Sequence, residues 1–315
     1  MGRGEINGRK SVHIEANNVD MDRIKDMAIQ IRRDVIRMIT GVGSGHPGGA
    51  LGAAEIFALL YGGVLRVDPQ NLKDPHRDRF VLSNGHICAA FYSALSLSGF
   101  LPREELSTFR RLNSRLQGHP ARVKLPDLVE TSSGPLGQGF SVANGIALAL
   151  KLDASRGRVY CLVGDGEMQE GQVWEAIMTA AQHRLENLTL IVSYNGLQID
   201  GEVQKVKNLM PLTRKFESFG WDCVEIDGHE LGALYRVLMD PLKGTTGIEK
   251  PRAVLAHTVM GKGVPFMENK AVWHGSCPTP EQAEEALQAI GKAKRFEDYP
   301  ARSIQTFSGK KGGRS

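Results

Sequence analysis

The sequence predicts an α/β domain in which a parallel sheet is covered by helices on both faces. Three observations predict it. Five short apolar runs, "RFVLSNGH", "RVYCLVGDG", "LTLIVSYNG", "WDCVEIDG" and "RAVLAHTVMGKG", each end in turn or polar residues. Stretches with helical spacing of apolar residues lie between them, and alternating strands and helices imply a parallel sheet buried on both sides. Residues able to do chemistry gather at the ends of the runs: His86, Asp165, Asn195, Asp227 and, further on, His274. Open sheets of this kind bind ligands beyond the carboxyl ends of their strands.

The elements follow in order. Ile24, Met27, Ala28, Ile31, Val35 and Met38 fall on one face of a helix over Ile24–Ile39, with Arg, Lys and Asp opposite. Five glycines and a proline in "GVGSGHPGG" stop it. A short helix is expected over "AAEIFALLYGG". Before the third run, Val173, Ile177, Ala180 and Ala181 mark a helix, and Phe140, Ala143, Ile146, Ala147 and Leu150 mark another before the second. The "DPLKGTTGIEKP" stretch reads as a surface loop. No repeat or linker divides the chain, so one domain is expected over residues 21–300, with flexible tails at 1–20 and 301–315.

The 315 residues suffice for a substantial core, and 41% hydrophobic with 23% charged residues is ordinary for a soluble protein. The net charge of +4 comes partly from the two basic ends. The interior lacks a basic stripe interleaved with aromatics, which argues against a nucleic-acid partner. Cys88, Cys161, Cys223 and Cys277 show no CxxC spacing, which fits a reducing cytoplasm rather than a zinc site or a disulfide framework. No apolar run approaches the roughly 20 residues of a membrane span, and the first residues are polar where a secretory signal would be apolar. A cytoplasmic protein is expected.

"GVGSGHPGG" has the letters of a dinucleotide loop, but it follows a helix where that motif must follow a strand. It reads instead as a turn that presents His46 to a ligand. Asp165 and Asn195 stand 30 residues apart, the length of a strand, a crossover helix and the next strand. Their side chains therefore reach one edge of the sheet. A carboxylate and an amide oxygen suit a hard divalent cation such as magnesium. So modest a ligand charge suits an ion that must also hold a diphosphate, which several carboxylates would repel. "TSSGPLGQG" precedes a helix and leaves room for backbone N–H groups to face an anion or a ring. His119 in "LQGHP" and His274 in "VWHG" also sit among glycine or proline. His13, His76, His183 and His229 read as structural.

Taken together, "GSGHPGG", "LSNGH", "GHP" at 118–120, "SSGPLGQG", "GDGEMQEG", "YNGLQIDG" and "WHG" resemble the transketolase family. They occur in the family's order over roughly residues 20 to 280. The resemblance is to the N-terminal, diphosphate-binding domain, and it implies thiamine diphosphate held through a divalent ion: magnesium, or calcium or manganese. It places Asp165 and Asn195 on the metal through their side chains and Leu197 through its carbonyl oxygen. Gly134, Pro135 and Leu136 would line the cofactor, and Gly166 and His86 would contact it. His46, His119 and His274 would face substrate oxygens, His274 also lying near the diphosphate, and Glu170 would stand at the subunit interface. A family lysine falls near Met260 here, with Lys262 as a possible substitute. The implied activity is transfer of a two-carbon ketol unit from a ketose phosphate to an aldose phosphate. No second block resembling the family's pyrimidine-binding domain follows the motif at His274. The expectation is therefore the N-terminal subunit of a split transketolase, completed by a C-terminal partner subunit in an α2β2 assembly. The alternatives are a subunit of another thiamine diphosphate enzyme, deoxyxylulose-phosphate-synthase-like or oxo-acid dehydrogenase, and a non-catalytic cofactor-binding scaffold.

Overall fold

Helix α1, Met21–Val42, runs past both ends of its expected span because each end is capped. Asp20 accepts a hydrogen bond from the Arg23 N–H at 2.9 Å, and Gly43 closes the other end in the left-handed region, at φ 69°. The computed structural model describes residues 19–239 and 250–300. Nearly all of the two expected tails, His13 and most of the 240–251 loop lie outside the described residues.

After α1 the sequence reading needs correction. "GVGSGHPGG" is not one continuous turn, for Pro47 opens helix α2, Pro47–Gly52. A proline at the first helical position forfeits no hydrogen bond. The helical glycines answer to packing rather than to turn formation. A Cβ on Gly48 would lie 2.7 Å from Met260 Cγ and 2.8 Å from the Trp273 carbonyl oxygen, and one on Gly52 would lie 2.8 Å from the Val259 carbonyl oxygen. The single short helix expected next is α3, Ala54–Leu59, continued by a π-helical turn over Leu60–Val64.

All five expected strands form one parallel sheet: β1 Arg79–Leu82, β2 Val159–Gly164, β3 Leu188–Tyr194, β6 Asp222–Asp227 and β7 Arg252–His257, in the order β1-β2-β3-β7-β6. Between β3 and β6 lie two short antiparallel strands, β4 Leu197–Gln198 and β5 Gly201–Glu202. The remaining helices are α4 Cys88–Leu97, α5 Gln138–Leu152, α6 Gly171–Gln182, α7 Val203–Val206, α8 Leu212–Ser218, α9 Leu231–Met239 and α10 Pro280–Ile290.

Two apolar cores flank the sheet. Along β2, Tyr160 and Leu162 join the core of α1, α3 and α4, while Cys161 and Val163 join that of α5, α6 and α8. This two-sided burial explains why the inner strands β2 and β3 read as nearly unbroken apolar runs. The chain advances from β2 to β3 with α6 on one face, then steps back from β6 to β7 with α9 on the other. A right-handed crossover demands that change of face when the direction reverses. Packing is close at Gly139 of α5, where a Cβ would lie 2.8 Å from Ser83 Cα at the end of β1. That closeness brings the loop before α5 onto the strand ends.

Candidate active site

At the carboxyl ends of β1, β2 and β3 opens a cavity of about 290 Å³. Each strand delivers its polar residues by ending in a turn. After β1, a short helical turn over Gly85–Ile87 exposes His86 beside Asn84. After β2 comes Asp165, and after β3 comes Asn195. Strands β2 and β3 are adjacent, with Gly164 opposite Ser193. The Asp165 carboxylate therefore reaches the neighbouring turn, accepting the Gly196 N–H at 2.6 Å and its own neighbour Gly166 N–H at 3.0 Å. The Asn195 side-chain oxygen accepts the Leu197 N–H at 2.9 Å, which fixes the turn. Burial pushes the Asp165 carboxyl up to about 6, opposed by those backbone donors.

Among the described residues no group of three or more His, Cys, Asp or Glu side chains is placed to hold a metal. A site built from Asp165, the Asn195 amide and the Leu197 carbonyl contains only one of those residue types, so it stands outside that description. Three buried polar atoms at the cavity have no hydrogen-bond partner: Asn84 Oδ1, Gln198 Oε1 and His274 Nδ1. Orphans of this kind carry a desolvation cost that a bound polar group would relieve. The oxygen ligand set thus fits a hard cation able to bridge an anionic group. The two orphan amide oxygens can face a cation or accept from an N–H or O–H of a ligand, and His274 Nδ1 can meet a ligand oxygen.

The opposite wall is a cluster of histidines. The ring of His46 lies 5.3 Å from that of His86, 6.3 Å from His119 and 5.8 Å from His274, and His86 lies 5.0 Å from His274. Burial, then the neighbouring histidines, push His86 down to about 3; burial, then His274, Arg110 and His119, push His46 down to about 4. His119 and His274 are lowered as well, burial being the main cause for each. All four are held neutral, each with one donor and one acceptor nitrogen.

The cavity brings together His46, His86, Gly134, Leu136, Asp165, Gly166, Glu170, Asn195, Leu197 and His274 as the sequence suggests. His119 stands at its edge behind Gly134, where a Cβ would come within 3.8 Å of its ring. Exposed Pro135 lies between Gly134 and Leu136 without lining the cavity. Lys262 does not line it either, and Met260 is buried against Gly48. Asp227, at the end of β6, is a correction: β7 separates its strand from β3, and its carboxylate accepts the His229 N–H at 2.8 Å. His229 is structural as expected, joining Glu55 at 3.0 Å to the Val259 N–H at 2.9 Å. Sequence reasoning missed Glu167, Gln198 and Arg110. The first two lie inside recognised motifs, next to residues that were singled out.

Fold and cavity define an α/β domain that takes an anionic ligand at the ends of its parallel strands. The chain belongs to the family described as transketolase, thiamine diphosphate binding domain, which matches residues 24–312. It is 38% identical to one of the subunits of the apulose-4-phosphate transketolase of Phocaeicola vulgatus, over 83% of this chain and 91% of that one. It is also 38% identical to a 6-deoxy-6-sulfo-D-fructose transketolase subunit of Clostridium sp. (strain MSTE9), over 85% of this chain and 96% of that one. The transketolase of Campylobacter jejuni superposes with a TM-score of 0.79 at 34% identity, covering 88% of this chain and 44% of that one. The chain thus spans less than half of the solved transketolase and nearly the whole of the separate subunits.

Proposed function

We propose that this chain is the N-terminal subunit of a split transketolase. With a separate partner chain carrying the pyrimidine-binding domain, it transfers a two-carbon ketol unit from a ketose phosphate to an aldose phosphate. The observation that carries the reading is the meeting of Asp165 with the Asn195 turn, opposite four neutral histidines, in one cavity. Thiamine diphosphate, when bound, supplies an acidic carbon and an electron sink for carbon–carbon cleavage.

The protein's part is to hold, orient and hydrogen-bond. Asp165, Asn195 and the Leu197 carbonyl hold a divalent ion, magnesium by its preference for oxygen donors and few ligands, with calcium or manganese as substitutes. Gly134 and Leu136 would line the cofactor, with exposed Pro135 between them, and Gly166 and His86 would contact it. His46, His119 and His274 face substrate oxygens as neutral rings, each with one donor and one acceptor nitrogen to offer them. His274 Nδ1, buried and without a partner, is free to bond such an oxygen. Glu170, exposed at the start of α6, faces the partner subunit.

Two features support the need for a partner in an α2β2 assembly. The cavity is at the small end of the range for cofactor sites. Its apolar side, Leu136 and Ile199, is 37% and 66% exposed. Free cysteines support a cytoplasmic setting, and no described helix is long and apolar enough to cross a membrane. The test is reconstitution. The purified chain alone gives no ketol transfer between pentose phosphates or the phosphorylated or sulfonated ketoses of its relatives, and added partner subunit restores it. Substantial turnover by the chain alone overturns the split-subunit reading; cofactor binding without turnover in the full complex overturns the activity.

A further inference from the structure

Arg110 sits behind the histidine wall in an unusual conformation. Its backbone is left-handed, at φ 56°, a region that non-glycine residues rarely adopt. The Arg110 N–H closes the turn on the Leu116 carbonyl at 2.8 Å. The guanidinium consequently lies between the turn that carries His46 and the segment that carries His119. Nη1 donates to Ser44 Oγ at 2.7 Å; Nη2 donates to the Gly118 carbonyl at 3.3 Å and to His46 Nδ1 at 3.4 Å. Gly118 makes room for it, since a Cβ there would lie 2.7 Å from Arg110 Nε.

Each of these three acceptors is neutral, and no carboxylate pairs with Arg110 among the described residues. Its Nε is buried without a partner. A clasp between two loops needs donors but not a charge, and a partly buried charge without a counter-ion is costly. What a guanidinium adds is that it can only donate. A histidine nitrogen facing it must be the unprotonated one, so the ring proton is forced to the other nitrogen.

We propose that Arg110 is a positioning residue that fixes His46 as its Nε2–H tautomer. His46 then meets the cavity as a hydrogen-bond donor to a substrate oxygen, not as a base. This rests on reading the cavity as a substrate site. The groups around the ring agree with it. Burial, His274, Arg110 and His119 all disfavour the imidazolium form, His86 lies against the same ring, and among the described residues no acid faces it. A neutral imidazole that polarises an oxygen by donation, its charge suppressed by surroundings, is a known catalytic arrangement.

The test needs neither cofactor nor partner, so it stands or falls separately from ketol transfer, which reconstitution judges. In long-range proton–nitrogen spectra of the full chain labelled at histidine, the His46 ring is identified by its loss in His46→Asn. The expected result is a single Nε2–H tautomer that does not titrate between about pH 6 and 8. In Arg110→Met both tautomers appear and the His46 midpoint rises by about one unit or more. Arg110→Lys, whose ammonium likewise can only donate, keeps both the low midpoint and the single tautomer. A Nδ1–H or mixed tautomer in the unmodified chain overturns the proposal, as does an unchanged His46 pattern in folded Arg110→Met. Should Arg110→Met fail to fold, Arg110→Gln carries the comparison, since its amide can accept as well as donate: mixed tautomers support the proposal, and a single Nε2–H form overturns it.

Discussion

The Glu167 carboxylate accepts hydrogen bonds from three separate segments: Ser83 Oγ at 2.5 Å, the Gly137 N–H at 2.7 Å and the Gly164 N–H at 3.3 Å. It is 2% exposed, and burial raises its carboxyl while these donors pull the other way. It thereby ties the ends of β1 and β2 to the loop that holds Gly134 and Leu136. Replacing it by Ala leaves three donors stranded, at about 1–3 kcal/mol each. Urea denaturation should show Glu167→Ala less stable by at least about 3 kcal/mol, and Glu167→Gln intermediate. A loss below about 1 kcal/mol for the alanine variant would show that the three segments hold together without it. At this scale the sequence was legible where glycine or proline isolates a polar residue, as at His46, His86, Asp165 and His274. It was not legible where the role depends on contacts remote in the chain. Glu167 is 84 positions from Ser83, and Arg110 reads as one more charge in "FRRLNSRLQ" until its backbone turns it inward.

At the scale of elements, α2 links packing to the site. Its glycines touch the backbone of the segments at Val259 and Trp273, and the latter is followed at once by His274. Gly48→Ala should therefore cost stability and displace the His274 segment, weakening thiamine diphosphate binding in the assembled enzyme. Gly41 of α1 is the internal control, since a Cβ there would meet nothing within 4 Å. Gly41→Ala should stabilise the fold by about 0.5–1 kcal/mol through helix propensity alone and leave binding unchanged. Thermal unfolding paired with cofactor titration checks both; equal effects of the two substitutions would contradict the packing argument. Apolar periodicity located α1, α5 and α6, and short apolar runs located the strands of the main sheet, four of which bury most of their residues while the edge strand β6 does not. Periodicity missed the helical character of Pro47–Gly52, where the reason for glycine is a neighbour some two hundred positions away, beyond any local pattern.

For the whole molecule, the strand order places β2 beside β3, and this adjacency puts an acid and an amide at one edge. The spacing of the two motifs anticipated it, since one crossover helix joins neighbouring parallel strands. The chain also spans nearly all of the separate transketolase subunits it resembles and less than half of the solved transketolase. The exposed Leu136 and Ile199 support the proposed reading in which another chain covers that side of the site. The central claim is that a divalent ion held by Asp165, Asn195 and Leu197 grips the diphosphate. Calorimetric titration of thiamine diphosphate into the chain assembled with its partner subunit, with magnesium and then with chelator, tests it most directly. The account predicts binding that requires the ion and is abolished in Asp165→Ala; equal affinity in chelator, or in that variant, would contradict it.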